Sequence, residues 1–139
     1  SIDLFYRINT FYTCMNRRIL LAHGRFRRQD LAPQWKAYFK RFGYELEVVT
    51  SASNMERILE MDSYDLLIIG SSVGGTRCDE AIELARRTTP GIRVALYSNA
   101  AIDTKALRAG RLSESYTLPQ VLGYVQRCFA PKSDPKKKK

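Results

Sequence analysis

Cysteine is scarce in this chain, and acidic residues are in the minority. The three cysteines, Cys14, Cys78 and Cys128, are odd in number and far apart, with no pair at metal-ligand spacing. That argues against a disulfide framework and points to the reduced thiols of a cytoplasmic protein. Long apolar runs are missing as well. Leu66-Leu67-Ile68-Ile69 is typical of the longest, far short of the roughly 20 residues that cross a bilayer. The first residues lack the charged-then-apolar order and small-residue cleavage site of a signal peptide, and no internal repeat is visible. Acids number 14 against 23 lysines and arginines, a net charge of +9. Much of that excess is a tail: Lys132, Lys136, Lys137, Lys138 and Lys139 stand beside Asp134 in the last eight residues, a net of +4. Basicity held in a tail is a poor sign of a nucleic-acid recognition face, so that partner class ranks low.

What is present is the composition of one soluble domain. Hydrophobic residues make up 45% and charged residues 27% of 139 positions, enough to bury a core without staples. Short apolar runs alternate with amphipathic stretches. Ile19-Leu20-Leu21-Ala22 reads as a strand; Leu31, Trp35, Tyr38, Phe39 and Phe42 share one helical face, with Asp30 as N-cap and Gly43 as stop. Leu46, Val48 and Val49 mark a second strand, and Met55, Ile58 and Leu59 a second helix. Residues 65–69 form a third, β-branched strand, followed by a glycine-rich turn over 70–75. Ala81, Ile82, Leu84 and Ala85 mark a third helix, ended by Pro90 and Gly91. Residues 92–97 read as a fourth strand, 102–109 as a fourth helix and 113–117 as a fifth strand. Val121, Leu122, Val125 and Phe129 line a last helix. Five strands alternating with five helices imply a parallel sheet covered on both faces. Residues 1–16 are an extension rich in aromatics, 17–130 the domain, and 131–139 a basic tail expected to be disordered.

Several local signatures resemble the CheY-like receiver domain of two-component response regulators, over roughly residues 17–130. Arg18-Ile19-Leu20-Leu21-Ala22 is similar to that family's first strand, and Tyr64-Asp65-Leu66-Leu67-Ile68-Ile69 to its third. Val94-Ala95-Leu96-Tyr97-Ser98 resembles the fourth strand with its terminal hydroxyl residue. Arg108-Ala109-Gly110 and Leu118-Pro119 resemble the landmarks around the fifth. The resemblance implies a flavodoxin-like three-layer α/β sandwich, five parallel strands in the order 2-1-3-4-5 flanked by five helices. It also implies a degenerate phosphorylation pocket. His23 and Gly24 stand where two acids would hold Mg2+, Gly70 where the phospho-accepting aspartate would be, and Leu118 where the lysine would precede a cis-type proline. Only the hydroxyl, Ser98, matches. Phosphoryl transfer needs a nucleophile, a metal and a cation, so the implied module signals without phosphorylation, through a protein partner or a second copy of itself. No metal or other cofactor is expected, nor membrane attachment.

Alternative readings rest on the same edge. Gly70-Ser71-Ser72-Val73-Gly74-Gly75-Thr76-Arg77 has the small residues of a phosphate cradle but lacks the lysine of a P-loop. With Arg25, Arg28, Ser71, Ser72 and Ser98, an anionic small molecule could gate the module; the plainer reading is a tight turn. His23, the one histidine, could act as base or pH switch. No motif fixes a nucleophile beside it, so a polar residue at a loop mouth is preferred and enzyme activity ranks last. By the resemblance, Lys105, Arg108, Tyr116, Tyr124 and Arg127 lie on the face that receivers use for partners.

Overall fold

The computed structural model describes residues 17–27 and 31–130. The expectations for Asp30, the 1–16 extension and the 131–139 tail lie outside the described residues, as does Arg28. Strand β1 (Arg17–Ala22) is followed by a 3-10 turn (Gly24–Arg27), α1 (Leu31–Lys40), β2 (Tyr44–Val49), α2 (Ala52–Met61) and β3 (Leu66–Ile69). A small hairpin, β4 (Ser72–Val73) and β5 (Thr76–Arg77), leads into α3 (Cys78–Thr88). Then come β6 (Arg93–Tyr97), α4 (Thr104–Leu107), β7 (Gly110–Leu112) and α5 (Leu118–Phe129). The main sheet is parallel with order β2-β1-β3-β6-β7. Discounting the hairpin, this is the expected 2-1-3-4-5 arrangement, with a helix after each strand.

Two-residue periodicity divides the central strands between two cores. Leu20, Ala22, Leu67, Ile69, Val94 and Leu96 face one side with Met55 and Leu59 of α2 and Ala81, Ile82 and Ala85 of α3. Ile19, Leu21, Leu66, Ile68, Ala95 and Tyr97 face the other, against Trp35 and Phe39 of α1 and Val121, Leu122 and Val125 of α5. Every residue of β3 is buried, which is why its sequence is an unbroken apolar run. Phe42, expected on the inner face of α1, lies beyond the helix end and is 42% exposed, its ring tilted against that of Tyr38 instead.

Three sequence expectations need correction. The fourth helix is a single turn that starts where the Asp103 carboxylate accepts the Ala106 N–H at 3.1 Å as an N-cap. Arg108 then ends it in the left-handed region at φ 53°. The fifth strand is Gly110–Leu112, three residues before the expected segment, with Ala95 opposite Gly110 and Tyr97 opposite Leu112. Leu118 opens α5 rather than preceding a cis-type proline; the Gln120 side chain accepts the Thr117 N–H at 2.8 Å as that helix's start signal. No peptide bond among the described residues is cis, Leu118-Pro119 included.

Arginines fasten the loops of this half. Arg111 Nη1 donates to the carbonyls of Ser98 and Ala100, each at 2.8 Å, and Nη2 to that of Ile102 at 2.6 Å. Arg86 donates to the carbonyls of Leu107 and Arg108 at the end of α4, and Arg93 to that of Cys128 in α5. Part of the basic excess thus satisfies main-chain acceptors where helices and strands end.

Candidate functional site

The carboxyl ends of the strands in a doubly wound sheet are where such folds usually bind ligands. At that edge stand His23 after β1, Gly70 after β3, Ser98 after β6, and Ser113 and Glu114 after β7. Gly70 is buried, and its N–H donates to the Ala22 carbonyl at 3.0 Å, carrying the sheet ladder one step further. A Cβ on Gly70 would lie 2.7 Å from His23 Cδ2, 3.0 Å from Nε2 and 3.1 Å from Cγ. The imidazole therefore occupies the space into which any side chain at position 70 would project. His23 and Gly70, singled out separately in the sequence, are brought into direct contact.

The hydrogen bonds of His23 fix its tautomer. The Arg25 main-chain N–H donates to Nδ1 at 3.0 Å, so that nitrogen carries no proton. Nε2–H donates to the Tyr97 carbonyl at 3.1 Å, and Glu114 Oε1 lies 3.7 Å away. The Tyr97 ring centroid is 5.4 Å from the imidazole and Phe26 meets it edge-on at 6.0 Å. The imidazole pKa is lowered, chiefly by burial and further by the Arg25 charge; the Tyr97 hydrogen bond and the Glu114 carboxylate oppose this without prevailing. The ring is held neutral.

This gives a stability profile with a definite sign. Above an unfolded-state value of 6.5 both folded and unfolded His23 are neutral and the contribution is complete. Below it the unfolded chain takes up a proton that the folded chain resists, so stability falls with pH. Denaturant midpoints compared between about pH 7 and about pH 5 should drop more in the wild type than in His23→Gln. Equal slopes would contradict the buried, neutral assignment.

The remaining candidate residues are placed as follows. Ser98 is buried, and its Oγ accepts the Ala100 N–H at 3.0 Å, so the hydroxyl serves its own loop. Arg25 Nη1 donates to the Tyr97 hydroxyl at 3.2 Å and to the Glu114 carbonyl at 3.3 Å, bridging two loops. Burial raises the Tyr97 phenol pKa, partly offset by that guanidinium. Ser71 and Ser72 are exposed, and the glycine-rich segment is a hairpin rather than an open cradle. Gly74 and Gly75 make its turn at φ 55° and 89°, and a Cβ on Gly74 would meet the Thr50 carbonyl at 2.9 Å. The start of α3 already carries Asp79 and Glu80, both paired with Arg77. Gly24 lies in the 3-10 turn with open space around its Cα. Leu118 packs on the α1/α5 core, and Ser113 continues β7 at the edge.

Lys105, Arg108 and Arg127 are exposed, and Tyr116 is 37% exposed. Tyr124 is half-buried, its hydroxyl lying over Gly110, where a Cβ would come within 1.7 Å of it. Burial, with Cys128 alongside, pushes the phenol up to about 12. Sequence reasoning missed Tyr97 and Glu114 as site partners, while Asn99 was read with Ser98 as part of an anion site. The Asn99 side chain accepts from Ser113 Oγ at 3.1 Å and from the Glu114 N–H at 3.0 Å, tying the β6 and β7 loops together. A buried tyrosine at a strand end was a legible signal; its neighbour across 74 positions was not.

No protein-family model matches the chain, and no curated protein matches it. Solved structures do. The non-phosphorylated HemR receiver domain from Leptospira biflexa superposes with a TM-score of 0.69 at 16% identity, covering 85% of this chain and 98% of that one. The fold is that of a CheY-like receiver domain. The receiver domain of the sensor histidine kinase PA1611 from Pseudomonas aeruginosa PAO1, with magnesium coordinated in its active-site cleft, gives 0.66 at 18% identity over 84% and 99%. A structure from a family of streptococcal redox sensors evolved from response regulators gives 0.67 at 16% identity, over 81% of this chain and 51% of that one. This chain thus spans about half the length of that protein.

Within the receiver fold the implied cation is Mg2+, which demands hard oxygen ligands in octahedral geometry. The residues at this edge do not fit it. His23 offers a nitrogen already donating to a carbonyl, and Gly24 and Gly70 offer no side chain. Among the described residues no group of three His, Cys, Asp or Glu side chains is disposed to hold a metal. No helix among them is long and apolar enough to cross a membrane.

Proposed function

We propose that this chain is an atypical receiver domain of two-component-type signalling that acts by phosphorylation-independent contact with a protein partner or a second copy of itself. The observation that carries the reading is the His23 imidazole against Gly70. The position after the third central strand has no carboxylate, and its side-chain space is filled by a ring locked on both nitrogens. Without nucleophile or metal ligands, phosphoryl transfer has no first step. A module without that chemistry signals through its surface, and Tyr116 and Arg127, exposed as is Lys105, are of the residue types that anchor interfaces. The alternative, an anion held by Arg25 with Ser71, Ser72 and Ser98, has less support, since Arg25 and Ser98 are engaged with their own loops. The streptococcal redox sensors are a precedent for a receiver fold turned to another input.

Lys105→Glu with Arg127→Glu should weaken self-association or partner capture, followed by sedimentation and pull-down, while Arg25→Gln should not. Treatment with acetyl phosphate and Mg2+ should leave both readouts unchanged. Association that depends on acetyl phosphate, or that is lost with Arg25 and kept without Lys105 and Arg127, would overturn the proposal.

A further inference from the structure

A second concavity lies at the opposite, amino-terminal edge of the sheet, away from His23 and Gly70 and bordered by Arg108 and Tyr124 of the expected partner face. It is a cleft of about 640 Å³ between the α3–β6 loop, the end of α4 and the outer side of α5. That is within the usual range for small-molecule sites. Leu66, Ile92, Val94 and Pro90 give it an apolar floor, and Tyr124 closes one wall. Arg86, Arg93 and Arg108 enter it from three different elements, with no carboxylate among its lining residues. None of the three arginines makes an ion pair among the described residues. Asp79 and Glu83 line an adjoining hollow that Arg86 and Arg108 also border, and neither carboxylate reaches ion-pair distance of them.

Two of these guanidiniums are pre-positioned. Arg86 is held by the carbonyls of Leu107 and Arg108 at 2.6 and 2.8 Å. Arg93 is held by the Cys128 carbonyl and lies 5.8 Å from the Phe129 ring centroid. Each guanidinium has five donors, so these bonds leave others on each group for a ligand. Arg108, kept in the left-handed region at the end of α4, makes no side-chain hydrogen bond among the described residues. The carbonyls hold the groups in place but do not neutralise them. Partial burial and the nearby Arg108 charge both lower the Arg86 pKa. Arg93 and Arg108 are exposed, so solvent screens the repulsion among the three charges, and their convergence on one cleft raises its local positive potential.

We propose that this cleft binds a small multivalent oxyanion, phosphate- or carboxylate-bearing, through Arg86, Arg93 and Arg108. Planar guanidinium forks match both classes of oxyanion bidentately, and the phenol of Tyr124 can donate to the same group. The site lies at the other end of the strands from His23 and Gly70, so its occupancy is separable from the state of that edge.

Calorimetric titration of the full chain with pyrophosphate, inorganic phosphate and citrate tests this, and the three arms separate diphosphate, monophosphate and carboxylate ligands. Saturable binding of at least one should persist at physiological salt. Arg108→Gln and Arg93→Gln should each weaken it about 10-fold or more, the loss of a charged hydrogen bond. Arg108→Gln should leave the ligand-free melting temperature unchanged, separating lost ligand contact from lost fold. Arg25→Gln and removal of residues 132–139 should leave affinity intact. No saturable binding, binding erased by moderate salt, or binding lost with the tail and retained in Arg108→Gln would overturn the assignment.

Discussion

Gly70→Asp should cost the protein about 2–4 kcal/mol and should not create a phosphoryl acceptor. The backbone at Gly70 is outside the left-handed region, so a side chain is not forbidden by conformation. Space is what is lacking: even a methyl group would sit 2.7 Å from His23 Cδ2. Overpacking of this kind costs about 1–3 kcal/mol, and a carboxylate without partners in a buried position adds to that. To make room, the imidazole must leave the Tyr97 carbonyl and the Arg25 N–H. The cause is separable by a cycle. Gly70→Ala alone should destabilise by about 1–3 kcal/mol, and most of that should vanish in a His23→Ala background, a coupling expected of touching residues. If Gly70→Ala were neutral, or its cost unchanged without His23, the ring would not be the occupant of that space.

Tyr97→Ala should have an equal or larger effect, about 3–5 kcal/mol, the range for truncating a buried aromatic. Tyr97 is fully buried at the end of β6. Its ring packs 5.8 Å from Trp35 and 5.4 Å from His23, so the truncation would hollow the α1/α5 core directly beneath the site. Tyr97→Phe keeps the ring and the carbonyl and loses only the contact with Arg25 at 3.2 Å. It should cost about 1 kcal/mol. Chemical denaturation of the two variants measures both. A large loss in Tyr97→Phe would mean that the Arg25 bridge, rather than packing, holds the 3-10 turn. A small loss in Tyr97→Ala would contradict the packing account.

Much of the architecture was legible in residue order because each buried strand carries its burial in its sequence. Leu66-Leu67-Ile68-Ile69 can only be a strand covered on both faces, and the Trp35–Phe39 spacing can only be a helix on one of them. Failures came where a single polar residue outweighed the apolar pattern. Asp103 caps α4 and Arg108, in the left-handed region, ends it after one turn, although Ile102 and Ala109 carry a helical spacing. Thr117 with Gln120 caps α5 at the position where the expected fifth strand, 113–117, had its end. The glycines of 70–75 are divided between two causes. Gly74 and Gly75 serve a hairpin turn, and Gly70 makes room for a ring. That ring was invisible in sequence, because contact between positions 23 and 70 exists only once β1 and β3 lie side by side. The same holds for Arg86 and Arg108. Each reads as a solvated charge alone; the fold brings them together through main-chain carbonyls.

Signalling without phosphorylation requires above all that the edge bearing His23, Gly70 and Ser98 take no phosphoryl group. Amide spectra recorded on the isotopically labelled chain before and after addition of beryllofluoride with Mg2+ address it directly, since that complex mimics an acyl phosphate only where a carboxylate and a metal site accept it. The account predicts superimposable spectra, including the amides of Gly70, Ser98 and Glu114. Saturable, Mg2+-dependent shifts centred on those three residues would contradict it.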